Sequence, residues 1–153
     1  MKIDLSIMSQ YQLYRFLDAQ DQNYLKALSE IKNGQKVSHW MWYVFPQLRG
    51  LGRSETAVFY GISGANEAIK YIKHPVLGKH LIEISSALLN LSGTSATAIF
   101  GTPDDLKLRS CMTLFANLPD ANVIFEQVLL KYFNGDQDQL TLQKLQYEFQ
   151  KGA

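Results

Sequence analysis

Hydrophobic residues recur at helical spacing along nearly the whole chain. Leu13, Phe16 and Leu17, then Tyr24, Leu25, Leu28 and Ile31, fall three to four positions apart. That spacing predicts helices over 11–20 and 23–32, closed by the stop signal Asn33-Gly34. From 75 to 91 the series Leu77, Leu81, Ile84, Leu88 and Leu91 steps by 4, 3, 4 and 3, a narrow stripe facing a core. Pro75, after His74, suits a first helical position, where its missing N–H costs nothing. Thr102-Pro103-Asp104-Asp105 reads as another start, with Thr102 as cap and two aspartates at the positive end of the helix dipole. Leu106, Leu108, Met112 and Phe115 carry that helix to near Asn117. Asp120 caps a helix through Val123, Val128, Leu129 and Tyr132 to Asn134-Gly135. Asp138 caps a last one, with Leu142, Leu145 and Phe149 inward. Strand-like runs at 41–45 and 98–100 are too isolated to make a sheet. The expectation is an all-α fold: a single compact domain, 1–153, of about seven or eight short helices.

Composition narrows the function classes. With 46% hydrophobic and 19% charged residues, the chain lies far from the disordered regime. Fifteen basic and fourteen acidic residues leave a net charge of +1. That balance excludes a general nucleic-acid binder and a polybasic membrane module. Cys111 is the one cysteine, so neither an intrachain disulfide nor a multi-thiolate metal site can form. Residues 1–8 are broken by Asp4 and Ser6 and lack the apolar run of a signal peptide. No stretch has the length of a membrane span. A reduced, cytoplasmic protein is expected.

One segment departs from the uniform helical pattern. Residues 36–60 hold both tryptophans and six of the eighteen aromatic residues, and set Lys36, Arg49 and Arg53 against the single acid Glu55. Trp40 and Trp42 are two apart and so face different ways on a helix. They read either as packing residues at a helix junction or as one core residue and one that lines a site. Gly50-Leu51-Gly52-Arg53-Ser54 combines two glycines, two neighbouring arginines and a capping serine for a helix to about 60. Such a turn suits a phosphate or carboxylate. It equally suits a plain capped turn with solvated arginines, since it is neither a Walker loop nor a dinucleotide fingerprint.

Several blocks resemble one family. They are Phe16-Leu17-Asp18-Ala19-Gln20, Ser38-His39-Trp40-Met41-Trp42 through Phe45-Pro46-Gln47-Leu48 and Gly50-Leu51-Gly52, and His74-Pro75-Val76-Leu77-Gly78. Ile99-Phe100-Gly101, Asp104-Asp105 with Lys107-Leu108, and Thr113-Leu114-Phe115 join them. The chain is similar, over about 13–147, to the bacterial domain-of-unknown-function family 1810. The resemblance implies a compact all-α fold and carries no activity with it. Some members bear a calpastatin-like label, but an inhibitor of that kind is disordered, unlike this composition.

The remaining candidates are few. His74 and His80 lie six apart with no ligand box around them, so no metal is expected. No cofactor fingerprint is present. His39 beside Trp40 suits a general base or a donor to a ligand, and also a capping or core histidine. Asp104 and Asp105 read first as dipole residues, with Asp105 and Arg109 spaced for an ion pair. The leading expectation is a pocket for a small anionic ligand, a nucleotide or sugar phosphate. Lys36, Trp40, Trp42, Gln47, Arg49, Gly50, Gly52, Arg53, Ser54, His74 and Lys107 would bind it. If the pocket is catalytic, His39, Asp104 and Asp105 would serve metal-independent acid–base chemistry such as glycosidic-bond hydrolysis. The alternative is a protein-interaction module anchored on an exposed patch of Trp42, Tyr43 and Phe45. A third reading makes the 38–54 block purely structural. No motif specifies an oligomeric state.

Overall fold

The computed structural model describes residues 5–151, so residues 1–4 of the N-terminal stretch considered above lie outside it. Nine helices make up the described chain, in the order α1 (Leu5–Lys32), α2 (Met41–Val44), α3 (Glu55–Tyr60), α4 (Ala65–Lys73), α5 (Leu77–Leu89), α6 (Ala96–Phe100), α7 (Asp104–Ala116), α8 (Ile124–Phe133) and α9 (Gln139–Lys151). Six of them are seven residues or longer, and no strand forms among the described residues. One isolated parallel bridge pairs Leu48 with Ile62.

The two helices expected over 11–20 and 23–32 are one. No glycine or proline interrupts 5–32, and Asp21-Gln22 is polar without being a helix breaker, so α1 continues for roughly 42 Å at about 1.5 Å per residue. It ends where predicted: Gly34 takes φ 79°, and the N–H groups of Gly34 and Gln35 donate back to Ile31 and Glu30. The run at 41–45 is helical, its first turn closed by Phe45 N–H on the Met41 carbonyl. The run at 98–100 belongs to α6, whose cap Ser95 accepts from Ala98 N–H. Both stretches are apolar because most of their residues, Met41, Tyr43, Val44 and Phe45 in one and Ile99 and Phe100 in the other, are buried, and each is too short to show a period.

Some caps fall elsewhere than the sequence suggested. Asp120 sits at φ 57°, and Asn122 Oδ1 instead accepts from Ile124 N–H at the start of α8. Asp138 does cap α9, taking Thr141 N–H at 3.0 Å and its hydroxyl at 2.6 Å. Asp105 does not pair with Arg109, which instead lies 3.9 Å from Asp138. Phe149, expected inward, is exposed.

The core is built on α5, which packs on α1, α4 and α8, and on α7, which packs on α6, α8 and α9. Leu77, Leu81, Ile84 and Leu88 are all buried, as their spacing requires. Aromatic rings run through the interior from Phe16 to Tyr71, Phe115 and Phe125, with centroids 5.1, 5.5 and 5.7 Å apart. The turn between α4 and α5 is held by Gly78: a Cβ there would stand 2.0 Å from the Ile72 carbonyl oxygen. Arg15 is clamped between Glu67, at 2.7 Å, and the Phe59 and Gly61 carbonyls, tying α1 to α3 and α4. No described helix is long and apolar enough to cross a membrane.

Candidate functional site

Past the end of α1 the chain doubles back over Glu30. The Glu30 carboxylate accepts Val37 N–H at 2.7 Å, Ser38 N–H at 2.9 Å, the Ser38 hydroxyl at 2.7 Å and the Trp40 indole N–H at 2.9 Å. Burial alone would raise its pKa, but these four donors outweigh it and hold the carboxyl at about 2. Lys36 N–H also donates to the Ile99 carbonyl, fastening the loop to α6. The 36–40 loop is therefore rigidly placed, with the Trp40 ring in the core against Phe45 and Phe100.

Three charges converge beside this loop. Asp104, the first residue of α7, takes Lys36 Nζ on one oxygen and Lys107 Nζ on the other, each at 3.0 Å. Burial favours protonation of Asp104, but the two ammonium groups prevail and lower its pKa. Lys36 is nearly buried, with its side chain 8% exposed, and Nζ also donates to the Ser38 carbonyl at 2.6 Å. Lys107, at 20% exposed, spreads its ammonium 3.8 Å above the half-buried ring of Trp42. Lys36 lies 5.2 Å from the Trp40 ring. Gly52 closes the opposite side: a Cβ there would stand 2.8 Å from Ala57 Cβ, 3.7 Å from Trp42 and 3.8 Å from the Gln47 amide.

The fold thus brings together Lys36, Trp40, Trp42, Gln47, Gly52, Asp104 and Lys107. It puts the other candidates to different uses. Asp105 is buried and accepts the Thr97 and Thr102 hydroxyls and Leu106 N–H, locking the α6–α7 corner. Ser54 caps α3 through Ala57 N–H, and Arg49 donates to the Val58 carbonyl. Gly50 takes φ 99°, with Lys144 Nζ 3.0 Å from where its Cβ would be. Arg53 is exposed. His74 Nδ1 accepts Val76 and Leu77 N–H groups at the start of α5. His39 is exposed, and its carbonyl accepts the Tyr43 hydroxyl. Tyr43 and Phe45 are buried, so of the three aromatic anchors only Trp42 reaches the surface.

Two features carry no recognisable sequence signal. Glu30 looks like any helix glutamate until the loop folds over it. The other is a polar cluster between α1 and α5. The His80 ring stacks on Tyr24 with centroids 3.6 Å apart, and the Tyr24 hydroxyl donates to Glu83 at 2.5 Å. Gln20 meets His80 Nδ1 at 2.8 Å and donates to the Tyr43 carbonyl and the Tyr71 hydroxyl. Burial, which Glu83 only partly counters, lowers the His80 pKa. An open, mostly apolar groove of about 640 Å³ runs past Glu83 between α1, α5 and α8, edged by Lys32, Ile82 and Ile124. Among the described residues no three His, Cys, Asp or Glu side chains group to hold a metal ion.

Helical packing around a buried carboxylate, with a tryptophan–lysine–aspartate cluster at the surface, defines an all-α protein. The chain belongs to the family described as a protein of unknown function, DUF1810, whose model matches residues 10–145. Among solved structures it is similar to the conserved hypothetical protein Rv1873 from Mycobacterium tuberculosis, with 48% identity and a TM-score of 0.87. That match covers 89% of this chain and 97% of the other. The comparison with curated proteins finds no match.

Proposed function

We propose that this protein binds a small ligand pairing a flat ring with an anionic group, such as a nucleotide, at the Trp42–Lys107–Lys36 cluster. One observation carries the reading: two ammonium groups converge on a single half-buried carboxylate beside a partly exposed indole. The cluster keeps one net positive charge, and the indole offers a stacking surface for a ring. Burial of Tyr43 and Phe45 favours this reading over a protein-docking patch. The reading is binding, without turnover. Asp104 is kept ionised by its lysines, and the Asp105 carboxylate is engaged by two hydroxyls and an N–H.

The test titrates adenosine 5′-monophosphate into the protein while following tryptophan emission and heat. Saturable binding is expected, stronger than with adenosine or inorganic phosphate alone. Lys107→Ala should weaken it about tenfold, equivalent to one charge-assisted contact. Trp42→Phe, which keeps a ring, should weaken it less than Trp42→Ala. Absence of saturable binding at millimolar concentration, or equal affinity in Lys107→Ala, overturns the reading.

A further inference from the structure

The Asp104 carboxylate stands where the anion of a ligand would go. Each of its oxygens takes one ammonium at 3.0 Å, so the two lysines are already satisfied by an internal group. The surroundings determine which of the three can move. Lys36 is 8% exposed and tethered to the Ser38 carbonyl, so an incoming anion must come to it. Asp104 and Lys107 are each 20% exposed, and Lys107 lies over the Trp42 ring that a ligand would need. Entry of a ligand therefore means displacing Asp104 from Lys36 and lifting Lys107 off the indole.

We infer that Asp104 is a resident competitor that restricts the site to dianionic groups, making a phosphate monoester the ligand class. The inference rests on the binding reading above. A monoanion that displaces Asp104 exchanges one negative charge for another and gains no Coulomb energy, while still losing its own freedom. A phosphate monoester dianion brings a second charge to the same two ammonium groups and so gains on the exchange. A carboxylate or a phosphodiester does not. Asp104 thus works as a repulsive element against weakly charged ligands that would otherwise stack on Trp42.

The experiment compares three probes with one base: adenosine 5′-monophosphate, its phosphate methyl ester and adenosine 5′-carboxylic acid. In the unaltered protein the monophosphate should bind at least about tenfold more tightly than either monoanion. In Asp104→Asn all three should tighten, the monophosphate by about tenfold, and the two monoanions should become measurable. Equal binding of the three probes by the unaltered protein overturns the inference and leaves the binding reading intact. So does weaker monophosphate binding in Asp104→Asn, which would make Asp104 a positioning residue for the lysines. No binding of any probe by either protein removes the binding reading and this inference with it. The comparison of the monophosphate with its methyl ester needs no variant, so the inference stays testable even where Asp104→Asn folds poorly.

Discussion

Trp40 and Glu30 meet inside the protein through a 2.9 Å hydrogen bond from the indole N–H to the carboxylate. Ten positions separate them, and the loop between them supplies three more donors to the same acid. This one carboxylate replaces the backbone pairing that a reversing loop otherwise lacks. Together with the Lys36 N–H bond to the Ile99 carbonyl, it positions the 36–40 loop beside the candidate site.

Glu30→Gln should therefore destabilise the fold. The amide can keep its oxygen on the three N–H donors and turn its NH₂ to the Ser38 hydroxyl, but it loses the charge that strengthens all four bonds. A loss of roughly 2 kcal/mol follows from a buried, charge-assisted network. For a chain of this size it amounts to about 4–8 °C in Tm, read by circular dichroism. An unchanged midpoint would mean that the loop holds itself.

Acid sensitivity follows from the same residue. Glu30 is held at about 2 in the folded protein, below its ordinary value of 4.5. Its contribution is fully present above pH 4.5 and is lost as pH falls through about 2. Asp104, lowered from 3.8 by Lys36 and Lys107, acts in the same direction. Urea unfolding should show stability falling across this acid range, with a shallower fall in Glu30→Gln. Parallel pH profiles for the two proteins would refute the assignment.

Arg15 and Glu67 form an ion pair with side chains 9% and 6% exposed. Arg15→Met leaves the carboxylate buried without its fork, at a cost of about 3–5 kcal/mol. The double variant Arg15→Met with Glu67→Met should recover a large part of that loss. Additive losses in the double-mutant cycle would show that the pair is not coupled.

Gly78→Ala tests the α4–α5 corner. The added Cβ meets the Ile72 carbonyl oxygen at 2.0 Å, and a backbone atom cannot rotate aside. A destabilisation of about 3 kcal/mol is expected, at the upper end for overpacking. Wild-type stability in this variant would place α5 differently against α4.

The sequence was most readable where a residue acts through its own helix. The Leu77, Leu81, Ile84 and Leu88 stripe, the Asp138 cap and the Asn33-Gly34 stop all depend on neighbours a few positions away. The cluster of aromatic and basic residues at 36–60 stood out from the uniform helical pattern. It offered Lys36 and Trp42, and the 104–108 block offered Lys107, but neither showed that Asp104 would bridge two lysines. Asp105 looked interchangeable with Asp104, yet one helix position turns it inward to Thr97 and Thr102. Glu30 stayed hidden because its four donors come from a loop whose return path no periodicity encodes. The short apolar runs at 41–45 and 98–100 are strand-like in residue type for a related reason: a single buried turn shows no period.

The bridge between Leu48 and Ile62 is fixed by two hydrogen bonds, Arg49 N–H to the Ile62 carbonyl and Ile62 N–H to the Gln47 carbonyl. It ties the base of an excursion that runs through Gly50 and Arg53 into α3, which Arg15 holds against α1. Because the base is closed independently of the tip, the entropy of the loop grows only with the logarithm of its length. Arg53 is exposed at the tip, yet its neighbours are not free: Gly52 packs against Ala57 and Trp42, and Ser54 caps α3, so lengthening the loop there would reach the helix it leads into.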